Sequence, residues 1–223
     1  MSELFKEKCN EKTLYEDNIR KLIDSIKNNN VKELLFGNTE LKVIESHPDR
    51  TKCNGFKNHA TRGKDGEKRI CKCLFYKNTN NVKTNCNNCI LKNQYKIIDG
   101  KYYISNYEIP AFYTGTGIGE IDLILSDGTK NYATEVKPHV KTEKDSNNET
   151  LLRMIAEIMT YTYGFEDNKY EKAIGFFENT AQHKEYNENN ELIKELMYLA
   201  KIHVFLFSEV EQNHGAYKIN KIY

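Results

Sequence analysis

Long apolar runs are missing from this sequence. No stretch approaches the roughly 20 consecutive apolar residues that a membrane-spanning helix requires. The N-terminal residues, MSELFKEKCNEK, also lack the apolar segment of a secretory signal. These absences exclude an integral membrane protein, and they predict a cytoplasmic protein with no membrane partner.

An internal repeat and a glycine-rich phosphate loop are also missing. Gly115, Gly117 and Gly119 are spaced two apart, but they lead into a predicted strand. A nucleotide-binding loop leads into a helix, whose N-terminus holds the phosphate. The three glycines therefore do not indicate a phosphate loop.

The nearly balanced charge conceals a strong asymmetry along the chain. The 33 basic and 32 acidic residues give a net charge of +1. Residues 50–104 carry 13 basic and 3 acidic side chains, or +10, whereas residues 1–49 sum to −2 and residues 105–223 to −7. This pattern favours a polyanion-binding module beside a carboxylate-bearing site, and a solvated basic loop is the alternative.

Hydrophobic periodicity predicts a mixed α/β sheet flanked by helices. The predicted helices are 11–29, 31–45 with a break at Gly37, 149–163 and 189–201; the predicted strands are 101–109, 119–126, 131–137, 172–177, 202–207 and 216–222. Residues 51–92 show no periodicity and too few apolar residues for a core of their own. We therefore divide the chain into an N-terminal helical part of the core (1–49), a basic cysteine-rich insertion (50–95) and an α/β core (96–223).

Two predicted strands carry a group of polar residues that suggests catalysis. Glu135 and Lys137 are two apart on one strand, so both side chains leave the same face of the sheet. The Asp127-Gly128 turn pairs that strand with the one that carries Asp122. Two neighbouring carboxylates with room for water suit Mg²⁺ or Mn²⁺, and Lys137 is then placed to assist a metal-bound nucleophile. The alternative is a salt bridge at the end of a strand.

The segments GIGEIDLIL and YATEVK, which carry these residues, resemble the active-site hairpin of the PD-(D/E)xK nuclease superfamily, with Ile121 where the motif name has Pro. The resemblance implies a restriction-endonuclease-like mixed sheet and a Mg²⁺-dependent enzyme that hydrolyses DNA. It also implies that Asp122 and Glu135 bind the metal and that Lys137 is the catalytic lysine. Many members add a Glu from the first helix, for which Glu16, Glu33, Glu40 and Glu45 are all candidates.

RecB-like members of the superfamily carry Gln-x-x-x-Tyr on the helix after the lysine strand. Here the corresponding residues are Glu157 and Tyr161. Helical geometry places Glu157 nearly opposite the apolar face of its helix, so we expect a solvent-exposed ion pair with Arg153 at i, i+4.

Five of the six cysteines lie in the basic insertion. Cys71 and Cys73, followed by Cys86 and Cys89, have the two-knuckle spacing of a structural zinc site. Cys53 could replace either of the first two, and His47 and His59 are also near. An iron–sulfur cluster or unligated reduced thiols are the alternatives. Bound zinc would let this apolar-poor segment fold and grip a phosphate backbone.

The sequence thus predicts a Mg²⁺-dependent DNA endonuclease of the restriction or defence type. Because sequence-specific cutting of duplex DNA generally uses two active sites, a homodimer is compatible with this hypothesis. The alternative is a catalytically silent nucleic-acid-binding protein on a nuclease-like scaffold, with the zinc module as its working part.

If the zinc interpretation is right, metal analysis of purified protein will find about one zinc per chain, and the protein will be colourless. Substitution of Cys86 and Cys89 by Ser should lower the zinc content, whereas Cys9→Ser should not. Stoichiometric iron with visible absorbance would contradict zinc in favour of a cluster.

Overall fold

The computed structural model of the chain describes residues 12–37, 42–43, 67–78, 96–98, 100–114, 117–137, 150–163, 169–188, 191–211 and 215–223. The helices within these ranges are α1 (Lys12–Lys27), α2 (Val31–Phe36), α3 (Glu67–Asn78), α4 (Leu151–Tyr163), α5 (Ala181–Asn187) and α6 (Glu191–Ala200). The strands are β1 (Lys42–Val43), β2 (Lys96–Ile97), β3 (Tyr103–Thr114), β4 (Gly117–Ser126), β5 (Asn131–Lys137), β6 (Glu171–Phe177), β7 (Ile202–Glu209) and β8 (Ala216–Lys221).

The strands form one mixed sheet in the order β1-β3-β4-β5-β6-β7-β8-β2. The β3–β4–β5 meander is antiparallel, whereas β5, β6 and β7 run parallel to one another. Parallel neighbours need crossover connections, which α4 supplies between β5 and β6, and α5 with α6 between β6 and β7. The predicted mixed α/β architecture is therefore confirmed. Among the described helices, none combines the length and apolar character that crossing a membrane requires.

The β4–β5 hairpin closes through a four-residue loop in which Asp127 organises the turn. Its carboxylate accepts hydrogen bonds from the backbone N–H of Lys130 at 2.8 Å and of Thr129 at 2.9 Å. These hydrogen bonds hold the pKa of Asp127 well below its usual range. Gly128 adopts the left-handed φ of 87° that favours glycine. The loop fixes the register of Ser126 against Asn131, as the predicted hairpin requires.

Both faces of the sheet are buried, and successive side chains of β5 point alternately to one face and the other. Ala133, Glu135 and Lys137 face one side, where α1, α2, α4 and α6 enclose a cluster that we call the first core. Tyr132 and Val136 face the other side, the second core. Such two-sided burial explains why β5 is covered along almost its whole length.

The second core corrects the prediction that residues 51–92 lack regular structure. Residues 67–78 form α3, and its Ile70 and Leu74 are fully buried against the sheet. Cys71 and Cys73 are buried with them, so these cysteines serve as small apolar residues in the packing.

Shortening Leu74 should show whether α3 is part of the cooperative core. We expect Leu74→Ala to lower the free energy of unfolding by about 2–5 kcal/mol, because it leaves a cavity against the sheet. The volume-conserving control Leu74→Met should cost less than about 1.5 kcal/mol. If chemical denaturation shows that both variants keep nearly the wild-type free energy of unfolding, α3 lies outside the core.

Candidate active site

The predicted catalytic residues lie together at one end of the β4–β5 hairpin. Asp122 is on β4, and Glu135 and Lys137 are on β5, with only 9%, 3% and 5% of their surfaces exposed. Ile124 and Ala133, which share their faces, belong to the first core. All three charged side chains therefore point toward the helices that cover that core, and α4 packs directly above them.

Where the β4–β5 pairing ends, the Asp122 side chain takes the place of a backbone carbonyl as a hydrogen-bond acceptor. The paired residues run from Ser126 with Asn131 to Leu123 with Thr134. At the next step, Asp122 Oδ2 accepts a hydrogen bond from the backbone N–H of Val136 at 2.9 Å. The buried N–H is thus satisfied by a side chain. This contact holds the Asp122 carboxylate against β5, level with Glu135.

Lys137 lies between two carboxylates. Its Nζ donates a hydrogen bond to Glu135 Oε1 at 2.7 Å and lies 3.7 Å from Glu157 Oε2. The predicted catalytic lysine thus has an acidic side chain from β5 and another from α4 beside its Nζ atom.

Glu157 of α4 corrects the prediction of a solvent-exposed pair. Arg153 Nε does contact Glu157 Oε1 at 3.1 Å, but Glu157 is only 5% exposed. Its Oε2 is buried and accepts no hydrogen bond from the residues that the structure describes. The helical-wheel argument failed because α4 is buried on nearly all sides: only Arg153 among residues 151–160 is partly exposed.

Tyr161 lies one helical turn beyond Glu157 and belongs to the same environment. Burial raises the pKa of its hydroxyl, and the carboxylates of Glu135, Glu157 and Asp122 raise that pKa further. The phenol consequently stays protonated and can act as a hydrogen-bond donor. The Gln-x-x-x-Tyr spacing of the RecB-like resemblance was the one sequence signal for these two residues.

The site carries three carboxylates against Lys137 and the partly exposed Arg153, so it has an excess negative charge. No group of three or more His, Cys, Asp or Glu side chains in the described ranges is arranged to hold a metal ion. Mg²⁺, however, is generally bound through one or two carboxylates, and water and substrate phosphates supply its other ligands. Asp122 and Glu135, on paired strands, fit that mode.

The other predicted ligands lie apart from this group or outside the described residues. Glu16 is half-buried on α1 and Glu33 is exposed on α2, and neither forms an ion pair or hydrogen bond with the site in the described ranges. Glu40, Glu45, Cys53, Cys86, Cys89, His47 and His59 all lie outside the described residues.

Cys71 and Cys73 are described, and their positions bear on the zinc hypothesis. Both lie on α3, two residues apart, and residues at that spacing point about 200° away from each other around a helix. This geometry weighs against both thiolates binding one ion while α3 keeps its form. Zinc binding by Cys71, Cys73, Cys86 and Cys89 stays a prediction.

Comparisons with known proteins give little guidance. No family model and no curated protein matches the chain. Among solved structures, SfsA of Pyrococcus furiosus in complex with Ca²⁺ is similar over 55% of this chain and 53% of that chain, with 14% sequence identity and a TM-score of 0.27. The chain thus matches about half the length of that protein, and a likeness of this size carries no argument about fold or function.

Removal of the buried Lys137 side-chain charge should destabilise the fold. We expect Lys137→Met to lower the free energy of unfolding by about 3–5 kcal/mol, because it leaves Glu135 and Glu157 buried without their counter-charge. Adding Glu135→Gln to that variant should restore part of the loss. The measurement is chemical denaturation in EDTA.

The matched control is Lys27→Met, which breaks the Lys27–Glu195 pair of similar length, 2.9 Å, between side chains that are 52% and 45% exposed. That change should cost no more than about 1 kcal/mol. If Lys137→Met is as mild as this control, the charges of the site are balanced in some other way.

Proposed function

We propose that this protein is a Mg²⁺-dependent endonuclease that hydrolyses DNA phosphodiester bonds, of the restriction or defence type. The observation that carries the proposal is the buried group of Asp122, Glu135 and Lys137 on the hairpin, with Glu157 of α4 against the lysine. The finer assignment, a PD-(D/E)xK core with a restriction-endonuclease-like sheet, rests on the sequence motif and is part of the proposal.

Asp122 and Glu135 are the residues that would hold Mg²⁺, or Mn²⁺ in its place. Both are carboxylates on neighbouring strands, and Mg²⁺ and Mn²⁺ prefer carboxylate oxygens as ligands. When bound, such an ion lowers the pKa of a water molecule and neutralises charge on the phosphoryl group. The surplus carboxylate charge of the site supports cation binding, because a divalent ion would offset it.

Lys137 would act on the scissile phosphate through its charge. Its ammonium is held by Glu135 at 2.7 Å and faces Glu157 at 3.7 Å, so it is positioned before any substrate arrives. A preorganised cation in a poorly hydrated site stabilises charge that develops on a phosphoryl oxygen. Glu157 is then a positioning residue, since it contacts the lysine and would not touch the substrate.

The DNA is expected to be held mainly by the basic segment 50–104, because its net charge of +10 contrasts with the acidic site. Lysine and arginine side chains bind the phosphate backbone without reading its sequence. This division lets the acidic site keep its metal ligands while another part of the chain attracts the polyanion. A homodimer would supply two such sites for duplex cutting.

One observation favours the second candidate, a nucleic-acid-binding protein without catalysis. Lys137 already pairs with Glu135 and approaches Glu157, as a purely structural buried ion pair would. In that case DNA would be bound equally well in EDTA, and no divalent ion would produce cutting.

Plasmid nicking with Mg²⁺ or Mn²⁺, compared with EDTA, tests the enzyme directly. We expect Asp122→Asn and Glu135→Gln each to reduce cutting at least about 10²-fold, because each loses a metal ligand. Lys137→Arg keeps the charge but replaces a compact ammonium with a planar fork, so it should also lose most activity. Glu157→Gln should cost about 10–100-fold, as is usual for groups that orient a catalytic residue.

Glu195→Gln is the matched control, since this carboxylate lies on the exposed face of α6 and pairs only with Lys27 in the described ranges. It should leave cutting unchanged. Full activity in Asp122→Asn or Glu135→Gln would reject the site. Absence of metal-dependent cutting in the wild-type protein, together with retained DNA binding, would establish the non-catalytic alternative.

A further inference from the structure

A second concave site lies where three helices end. A half-open cavity of about 500 Å³ is lined by the last turns of α1, α4 and α6, the start of α2 and the start of β6. Its apolar lining includes Ile26, Val31, Met159 and Leu199. Cavities of this size hold small organic ligands.

Three lysines give the cavity a positive charge. Lys169, Lys172 and Lys201 all line it. Lys172 is partly buried at the start of β6, and burial together with the nearby Lys201 charge lowers its pKa. None of the three ammonium groups forms an ion pair or a hydrogen bond with any residue that the structure describes. Lys169 and Lys201 are exposed at the rim, and the repulsion between Lys201 and the partly buried Lys172 would be relieved by an anionic ligand.

Lys201 occupies a position where lysine is unusual. It follows the last residue of α6 with φ of 55°, and its N–H donates a hydrogen bond to the carbonyl of Tyr198 at 3.1 Å. Glycine is the residue that best fits this left-handed position at the end of a helix. A lysine there costs conformational free energy and adds a charge to the cavity.

Neutralisation of helix dipoles is the simpler explanation for these lysines, because the C-terminal ends of α1, α4 and α6 carry partial negative charge. That role usually involves contact between the ammonium group and terminal carbonyls. No such hydrogen bond is formed by Lys169, Lys172 or Lys201 within the described ranges. Three full charges also exceed the partial charges of three helix ends.

Two tyrosines complete the chemistry of the cavity. Tyr163 and Tyr170 line it, and Lys169 Nζ lies 5.4 Å from the centre of the Tyr170 ring. Aromatic rings beside an apolar floor suit a flat ring system, and the lysines suit a phosphate.

We propose that this cavity binds a nucleotide, with its phosphates on Lys172 and Lys201 and its base against the tyrosines and the apolar lining. The site is separate from the candidate active site and does not depend on the proposed nuclease function. The two sites share α4, which sends Glu157 to the charged group and Met159 and Tyr163 to the cavity.

Calorimetric titration of the full-length protein in EDTA tests the proposal, with ATP, AMP, adenosine and inorganic phosphate as separate probes. EDTA removes divalent ions, so that metal-bound nucleotide cannot occupy the candidate active site. We expect saturable binding of ATP and AMP, and much weaker binding of adenosine and of phosphate. Absence of nucleotide binding, or equal binding of adenosine or of phosphate alone, would overturn the proposal.

The variants Lys172→Gln and Lys201→Gly separate a binding role from a structural one. Each should weaken ATP binding at least about tenfold, the loss of one charge-assisted hydrogen bond. Lys201→Gly should keep or raise the melting temperature, because glycine suits the positive φ, so weaker binding in it is not explained by unfolding. The control Lys218→Gln, at an exposed residue of β8, should bind as the wild type does. An equal loss in the control would mean unspecific charge attraction and would reject the site.

Methyl NMR locates the ligand. With labelled methionine, the Met159 methyl signal should shift on addition of ATP, while the signals of the fully buried Met154 and Met197, which do not line the cavity, should change less. The Met159 signal is assigned through Met159→Leu. The same shift should persist in Asp122→Asn. A shift that Asp122→Asn abolishes, or that spares Met159, would place the ligand elsewhere.

Discussion

The balance of charge around Lys137 is the constraint on which the candidate site depends. Buried carboxylates are costly unless an opposite charge and hydrogen bonds compensate them. Asp122 is compensated by a backbone N–H, and Glu135 by the lysine ammonium, while Glu157 shares that lysine and also contacts Arg153. The three carboxylates lie on β4, β5 and α4, and β5 supplies a compensating group to each of them, so the hairpin and α4 must keep their relative position for all of these contacts to hold.

The position of α4 is itself set by another carboxylate, that of the half-buried Glu185. Glu185 of α5 accepts a hydrogen bond from the first backbone N–H of α4, at Leu151, with a distance of 2.8 Å. Tyr15 of α1 donates its hydroxyl hydrogen to the other oxygen of the same carboxylate. Burial raises the pKa of Glu185, although both hydrogen bonds oppose that rise. This arrangement joins α1, α4 and α5, and so fixes where α4 begins and which of its residues face β5.

The candidate active site is acidic and the cavity is basic, and both lie along α4. Near the middle of α4, Glu157 adds to an acidic group that suits a metal ion. Near its end, the cavity places lysines beside apolar and aromatic residues. Because α4 is almost entirely buried, a substitution at either site would disturb the packing of the core and so change the free energy of unfolding. Stability therefore has to be measured beside activity for variants at both sites.

Local patterns in the sequence determined much of the sheet and the central residues of the site. The alternation in β4 and β5, with Asp127 and Gly128 between them, was sufficient to place Asp122 beside Glu135, since a hairpin pairs residues that are close in the chain. The strand β5 was predicted with its observed bounds, and α1, α4 and α6 within two residues at each end. The parallel order of β5, β6 and β7 followed from the helices between them.

Tertiary structure decided what local patterns could not. Glu157 was predicted on the exposed side of α4, but that side packs against Lys137 of β5, and no periodicity within one helix reveals its neighbours. In α3, the spacing of Cys71 and Cys73 drew attention to metal binding, which stays a prediction, and only the fold showed that both side chains are buried against the sheet. The short α5 and the two-residue strand β2 were missed, and the predicted helix 31–45 was wrong beyond Phe36, since Lys42–Val43 form β1. Elements of this length are held by tertiary contacts more than by their own propensity. The cavity lined by Lys169, Lys172 and Lys201 also has no sequence signature, since its residues come from segments that only the folded chain brings together.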